Sequence, residues 1–379
     1  MPYKIKLSRP PAGYVAEHVE KGEEATIITR DFVSSEDGMR LINMLEQLPS
    51  SVLSSIPELR LIKPSTIDHL LIHFDSDGNA TIYVNEINMI GKVKTRKAVE
   101  AGQAVYIDDL VHLLELRFEG IDIPPDHSVL VVLSSGWRKG LFFDFSPMTS
   151  KLPREYDIWS ILGGYYSYII FQEHFSISEE TWNALLMDSW FPFIGLNQST
   201  IKEIIAWSSS GRSADALLDK ITAELLERLP QIKQNWASAP LLKEHVALLN
   251  VAAERFEAKD WISTNSILYP RIEGILRTVT QSLSETTYSQ KNLASAAEKI
   301  SRDIAGTRIF PTKFQQYLTD VYFKSFDPEN PTSISRNSVG HGVAPANEFS
   351  EKSAVIGLLI VEQIFFHLPS PIAENEDPK

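Results

Sequence analysis

The side chains best suited to chemistry lie near the C-terminus, where the chain reads Arg336-Asn337-Ser338-Val339-Gly340-His341-Gly342. A guanidinium can hold a phosphate and stabilise the charge that builds on its oxygens. An imidazole titrating near neutrality can move the proton of an attacking hydroxyl. Together they suit cleavage of a phosphodiester. An Arg followed by a His at one of three spacings is expected about once by chance in a chain of this length, and a polar residue directly after the Arg lowers that to roughly a tenth. The surroundings therefore decide what the motif carries. The competing reading makes His341 a loop residue between two glycines and pairs Arg336 with an acidic neighbour such as Asp327.

A second group lies upstream, in Tyr269-Pro270-Arg271-Ile272-Glu273-Gly274-Ile275-Leu276-Arg277. It sets a carboxylate and two cations into a segment that otherwise faces a core. Its plain reading is an i,i+4 surface pair of Glu273 with Arg277.

Other patterns resolve more simply. His69 and His73 have the spacing of a helical zinc pair, but on a strand four residues set the imidazoles about 13 Å apart. Asp75-Ser76-Asp77-Gly78-Asn79 has its glycine at the fourth place, whereas a calcium loop needs it at the sixth, so a hairpin turn is expected. Trp137-Arg138-Lys139 at a second hairpin tip joins a ring to two cations, which can stack a base and grip a phosphate; a solvated turn is the commoner outcome. Gly163-Gly164 reads as close helix packing. Neither a Gly-rich phosphate loop nor a Gly-x-Ser-x-Gly elbow is present. No metal site and no cofactor are expected.

The elements that must position these residues follow from periodicity. Ile67–Phe74 with Thr81–Val84, and Val129–Leu133 with Leu141–Phe145, read as two hairpins. From Tyr156 to Leu229 the pattern is helical, with Ser199-Thr200 and Ser213 as caps and Pro230 as a stop. Leu241, His245, Leu248, Leu249, Ala252 and Phe256 then recur at helical spacing. A helix from Asp260 to Val279 carries the second group, with Pro270 as an expected kink or restart. Helical segments over Gln290–Asp303 and Thr312–Phe326 precede turn residues at Asp327-Pro328 and Asn330-Pro331, which deliver Arg336–His341 as a loop. A last helix, Ser350–Leu368, is apolar on every side and needs burial by its own bundle or by a second copy of the chain. The expected fold is α+β and mainly helical: an α+β domain over 1–150, a helical connector over 151–234, a helical bundle over 235–370 and a disordered tail over 371–379.

Composition narrows the function. The chain has 379 residues, 43% hydrophobic and 22% charged, and no cysteine, which removes thiol catalysis, disulfides and cysteine-bound zinc. Its most apolar run, Ala354–Leu368, contains Glu362 and Gln363 and is no membrane span. The first residues have no signal core, so a cytoplasmic location without membrane contact is expected. A net charge of −13 argues against a nucleic-acid binder, yet residues 1–230 hold 21 Lys+Arg against 32 Asp+Glu, whereas 231–379 hold 15 against 17. The acidity is mostly N-terminal.

The Arg336-Asn337…His341 motif, the helix with Glu273 and the Tyr-Pro…Arg…Ile-Glu-Gly sequence of Leu268–Gly274 resemble the HEPN superfamily, in particular its messenger-RNA-degrading toxins and abortive-infection proteins. The resemblance covers about residues 235–370. It implies a bundle of four or five helices with the motif before the last one, and a metal-independent endoribonuclease. His341 is then the general acid/base, Arg336 stabilises the phosphorane, Asn337 orients or binds, and Glu273 positions Arg or His. Arg271 and Arg277 bind substrate. The resemblance further implies a 2′,3′-cyclic phosphate product, a homodimer through the C-terminal bundle, and a toxin or anti-phage role in which an antitoxin or trigger protein meets the N-terminal domain. The alternative is a non-catalytic HEPN-like module that dimerises or binds nucleotide or protein.

Overall fold

A computed structural model describes residues 2–8, 20–24, 30–147, 154–301, 307–326 and 335–369. The turn residues Asp327 to Pro331, with Asp327 as a partner for Arg336, and the tail 371–379 lie outside the described residues. The fold is α+β and mainly helical, as the sequence implies. It divides into two compact units: Met1–Lys94 with His112–Phe175 and Ile304–Thr307, and Thr95–Val111 with Ser176–Asp303 and Arg308–Lys379. The 151–234 segment, expected as a helical connector, falls partly in the first unit and partly in the second.

The first unit is built on a six-stranded antiparallel sheet in the order β1-β4-β3-β7-β8-β2, from Tyr3–Lys6 (β1), Arg30–Ser34 (β2), Leu70–Phe74 (β3), Asn79–Val84 (β4), Ser128–Ser135 (β7) and Arg138–Asp144 (β8). Met89–Thr95 (β5) and Leu110–Phe118 (β6) pair separately. Both expected hairpins form, β3 with β4 and β7 with β8. The first turn closes on Asp75, whose Oδ1 accepts from the Asp77 and Asn79 N–H groups at 2.9 and 2.8 Å. Ile72, Phe74, Leu130, Val132, Leu141 and Phe143 face helix α1 (Met39–Leu53). The opposite face carries α2 (Ile158–Ile170), so the central strands β3 and β7 are buried along nearly their whole length. A Cβ on Gly163 would lie 2.9 Å from the Glu115 Cα, so this glycine lets α2 close onto β6.

After the short α3 (Gln172–Phe175), the second unit contains α4 (Glu179–Met187), α5 (Gln198–Ser209), α6 (Leu218–Ser238), α7 (Val246–Glu257), α8 (Trp261–Ser282), α9 (Gln290–Ile300), α10 (Pro311–Tyr317), α11 (Arg336–Gly340) and α12 (Glu351–His367). Side-chain caps at Ser178, Asp260, Ser289, Ser335 and Ser350 fix five of the starts. Pro230, expected as a stop, ends no helix, and Pro270, expected as a kink or restart, starts no new one. Pro230 lies inside α6 and Pro270 inside α8. Each proline removes one helical hydrogen bond, and the buried stripes Ile221, Leu225, Leu229, Ile232, Trp236 and Leu268, Ile272, Ile275, Leu276, Val279 outweigh that loss.

Helix α12 is buried from Ser353 to Ile364 against α8, α6 and α9 of the same unit. Gly357 permits the closest approach, since a Cβ there would lie 3.0 Å from the Leu268 side chain. Its own bundle thus supplies the burial this helix needs. Gln363 is satisfied inside, donating to the Ile309 carbonyl and accepting from the Ile194 N–H. Burial pushes the Glu362 pKa up to about 7 against the pull of Arg228, 3.8 Å away, and of the Trp236 indole N–H. Among the described residues no helix is long and apolar enough to cross a membrane.

Candidate active site

The Arg336 segment is one turn of helix rather than a loop. Ser335 caps α11 in an extended conformation, and Ser335 and Ser338 exchange side-chain-to-backbone hydrogen bonds in a capping box. The turn ends in a Schellman arrangement: the Gly342 N–H reaches the Val339 carbonyl and the Val343 N–H the Ser338 carbonyl, both at 3.0 Å. Gly342 takes φ +70°, which explains the glycine after the histidine. His341 is the C-cap residue. The other glycine answers a different need: a Cβ on Gly340 would lie 3.1 Å from the Arg336 Nη1.

Arg336 and Glu273 meet across α11 and α8. The Arg336 Nε pairs with Glu273 Oε2, while Glu273 Oε1 accepts from the Arg277 Nε and Nη2 at 3.0 and 2.7 Å. One carboxylate, 7% exposed, thus sits between two guanidiniums. These residues, with Pro270, Gly274 and Gly340, line a cleft of about 180 Å³ whose three charged groups leave one net positive charge. Arg336 meets Glu273 through its Nε, and neither Nη nitrogen makes a hydrogen bond among the described residues. Arg277 lies over the Tyr288 ring at 5.3 Å. His341 is exposed, with the Phe326 ring 5.5 Å from its own and no hydrogen bond among the described residues.

Asn337 lies elsewhere. Its amide is buried, donating to the Phe323 carbonyl at 2.8 Å and accepting from the Gln290 Nε2 at 2.5 Å. It anchors the turn that carries Arg336 and His341. Arg271 is also outside the cleft lining and contacts His245, with Nη1 and Nδ1 3.3 Å apart. Below the site, burial raises the Tyr322 hydroxyl pKa well above its usual range, Glu273 adding to the shift and Arg336 opposing it. That hydroxyl donates to the Tyr269 carbonyl.

Sequence reasoning missed the roles of Gln290, Tyr288 and His245. Gln290 and Asn337 are far apart in sequence, and neither type announces such a contact. His245 fitted the apolar stripe of α7 and was absorbed by it.

In the first unit, His73 lies on β3 and faces His127, with their Nδ1 atoms 2.9 Å apart, and burial followed by the neighbouring imidazole lowers its pKa to about 4. Among the described residues no group of three or more His, Asp or Glu could hold a metal ion. No family model, curated protein or solved structure matches the chain.

Proposed function

We propose that the chain is an endoribonuclease of the HEPN type, cleaving RNA by attack of the ribose 2′-hydroxyl on the adjacent phosphate. The observation that carries this reading is the cleft in which Glu273 fixes Arg336 and Arg277 while the Arg336 Nη nitrogens make no hydrogen bond among the described residues. His341, on the same turn, moves the proton of the 2′-hydroxyl or of the leaving oxygen. Arg336 stabilises the phosphorane, and Arg277 and Arg271 bind the flanking backbone. Asn337 acts on the site through the turn it anchors. The nucleophile belongs to the substrate, so no metal is needed, and the product ends in a 2′,3′-cyclic phosphate.

One imidazole leaves either the acid or the base unassigned, and a homodimer with a second His341 would supply it. Helix α12 lends no support to that assembly, being covered within one chain. A toxin or anti-phage role in the cytoplasm, with the first unit meeting an antitoxin or trigger, rests on the family resemblance.

Single-stranded RNA incubated with purified protein in EDTA at neutral pH tests the reading. Cleavage by the wild type, lost in Arg336→Ala and His341→Ala, supports it; intact RNA, or equal cleavage by all three, removes it. A non-catalytic module is the second reading, favoured by the ion pair of Arg336 with Glu273, which also fastens α11 to α8. In a growing host the ribonuclease slows growth and Arg336→Ala relieves it, whereas the module does neither.

A further inference from the structure

Arg271 differs from the other two arginines of this region. Arg277 and Arg336 each pair with Glu273, but Arg271 has no carboxylate partner among the described residues. Its one hydrogen bond among the described residues is the Nη1 to His245 Nδ1 approach of 3.3 Å.

The direction of every proton here is fixed by chemistry. A guanidinium only donates, so His245 Nδ1 must accept and the ring proton sits on Nε2. That Nε2–H then donates to the Thr278 Oγ1 at 3.0 Å, and the Thr278 hydroxyl donates to the Gly274 carbonyl at 3.3 Å. The chain of donors from Arg271 to Gly274 is complete only with a neutral His245. Its surroundings agree: burial, then the Arg271 charge, lower its pKa, with only Glu244 opposing.

Gly274 joins this assembly to the cleft. It lines the cleft, and a Cβ on it would lie 3.3 Å from His245 Cε1 and 3.8 Å from Arg271 Nη1. The Arg271–His245 pair is therefore separated from the cleft by the thickness of one glycine. It presents an unneutralised guanidinium, held in orientation without its charge being cancelled.

We infer that His245 is a positioning residue that holds Arg271 beside the cleft to take the phosphate next to the one bound by Arg336. The substrate is accordingly an oligonucleotide with at least two consecutive phosphates rather than a dinucleoside monophosphate. This rests on reading the cleft as an RNA site. Arg271 binds substrate directly, and His245 acts only through it.

The test measures binding of uncleavable 2′-O-methyl oligouridylates carrying one, two or five phosphates. For the wild type, affinity steps up between one and two phosphates. Arg271→Gln and His245→Leu lose about tenfold at two or more phosphates and are unchanged at one, and each lowers the salt slope of log K by about 0.7. His245→Asn, whose side-chain oxygen can accept where Nδ1 does, restores the step. A nitrogen NMR spectrum of the wild type at pH 7 gives the neutral, Nε2-protonated signature for His245, a readout independent of RNA and of how well His245→Leu folds. The inference is overturned if Arg271→Gln loses affinity equally for all three probes or for none, or if His245 is Nδ1-protonated or charged at pH 7. If no probe binds the wild type, both the RNA reading and this inference fall. If the wild type cleaves RNA while Arg271→Gln keeps the step, only the inference does.

Discussion

Two places in this chain bring an aromatic ring and cations together, and they use their cations in opposite ways. At the hairpin tip of the first unit, Trp137 is 77% exposed. Beside it, Arg138 is spent on Glu173 and on the Ile169 and Ile170 carbonyls. Lys139 is likewise spent on the Ser65 and Ile67 carbonyls and lies near Asp68. In the cleft of the second unit, one carboxylate holds two arginines and leaves nitrogens of Arg336 unspent. The difference teaches that a cation counts toward phosphate binding only when its donors are not already satisfied by its own chain. The tip therefore reads as a braced turn with an exposed ring, and the cleft as a site with guanidinium donors to spare.

The contrast can be broken most sharply at Arg336. Arg336→Ala should lower single-turnover RNA cleavage by about 10²- to 10³-fold, whereas Arg138→Ala in a folded protein should leave the rate unchanged; equal losses would erase the distinction. Glu273→Gln comes next. Removing the charge that gathers both guanidiniums should cost about 2 kcal/mol in urea denaturation and slow cleavage about tenfold, most of it in kcat. Asn337→Ala strands the Phe323 carbonyl and Gln290 and should destabilise the protein by about 1–3 kcal/mol, with RNA affinity at low temperature little changed. The smallest effect is expected at the tip, where Trp137→Ala should shift stability by no more than about 0.5 kcal/mol and leave RNA affinity as it was.

Much of the fold was legible because it is written in local periodicity. The stripes of α7 and α8, the all-round apolar run of α12 and both hairpins follow from spacing and turn residues within a few positions of each other. The errors have local causes too. Pro230 reads as a stop because a proline's cost is visible in sequence and the packing that outweighs it is not. Ser335 and Ser338 form a capping box without the Glu or Gln that advertises one, so α11 passed for a loop. In the site, the Glu273–Arg336 pairing joined residues that the sequence had singled out separately. Asn337 is of the residue type the motif calls for but points inward, because side-chain direction depends on which face of a one-turn helix meets Phe323 and Gln290. His245 went unnoticed since an imidazole on an apolar stripe has no signature of the arginine it holds.

The most direct measurement is the chemistry of the cut ends. RNA cleaved by the purified protein in EDTA should carry 2′,3′-cyclic phosphate and 5′-hydroxyl termini, and His341→Ala should yield none above background. Termini with 3′-hydroxyl and 5′-phosphate, or the same cyclic ends from His341→Ala, would contradict the account.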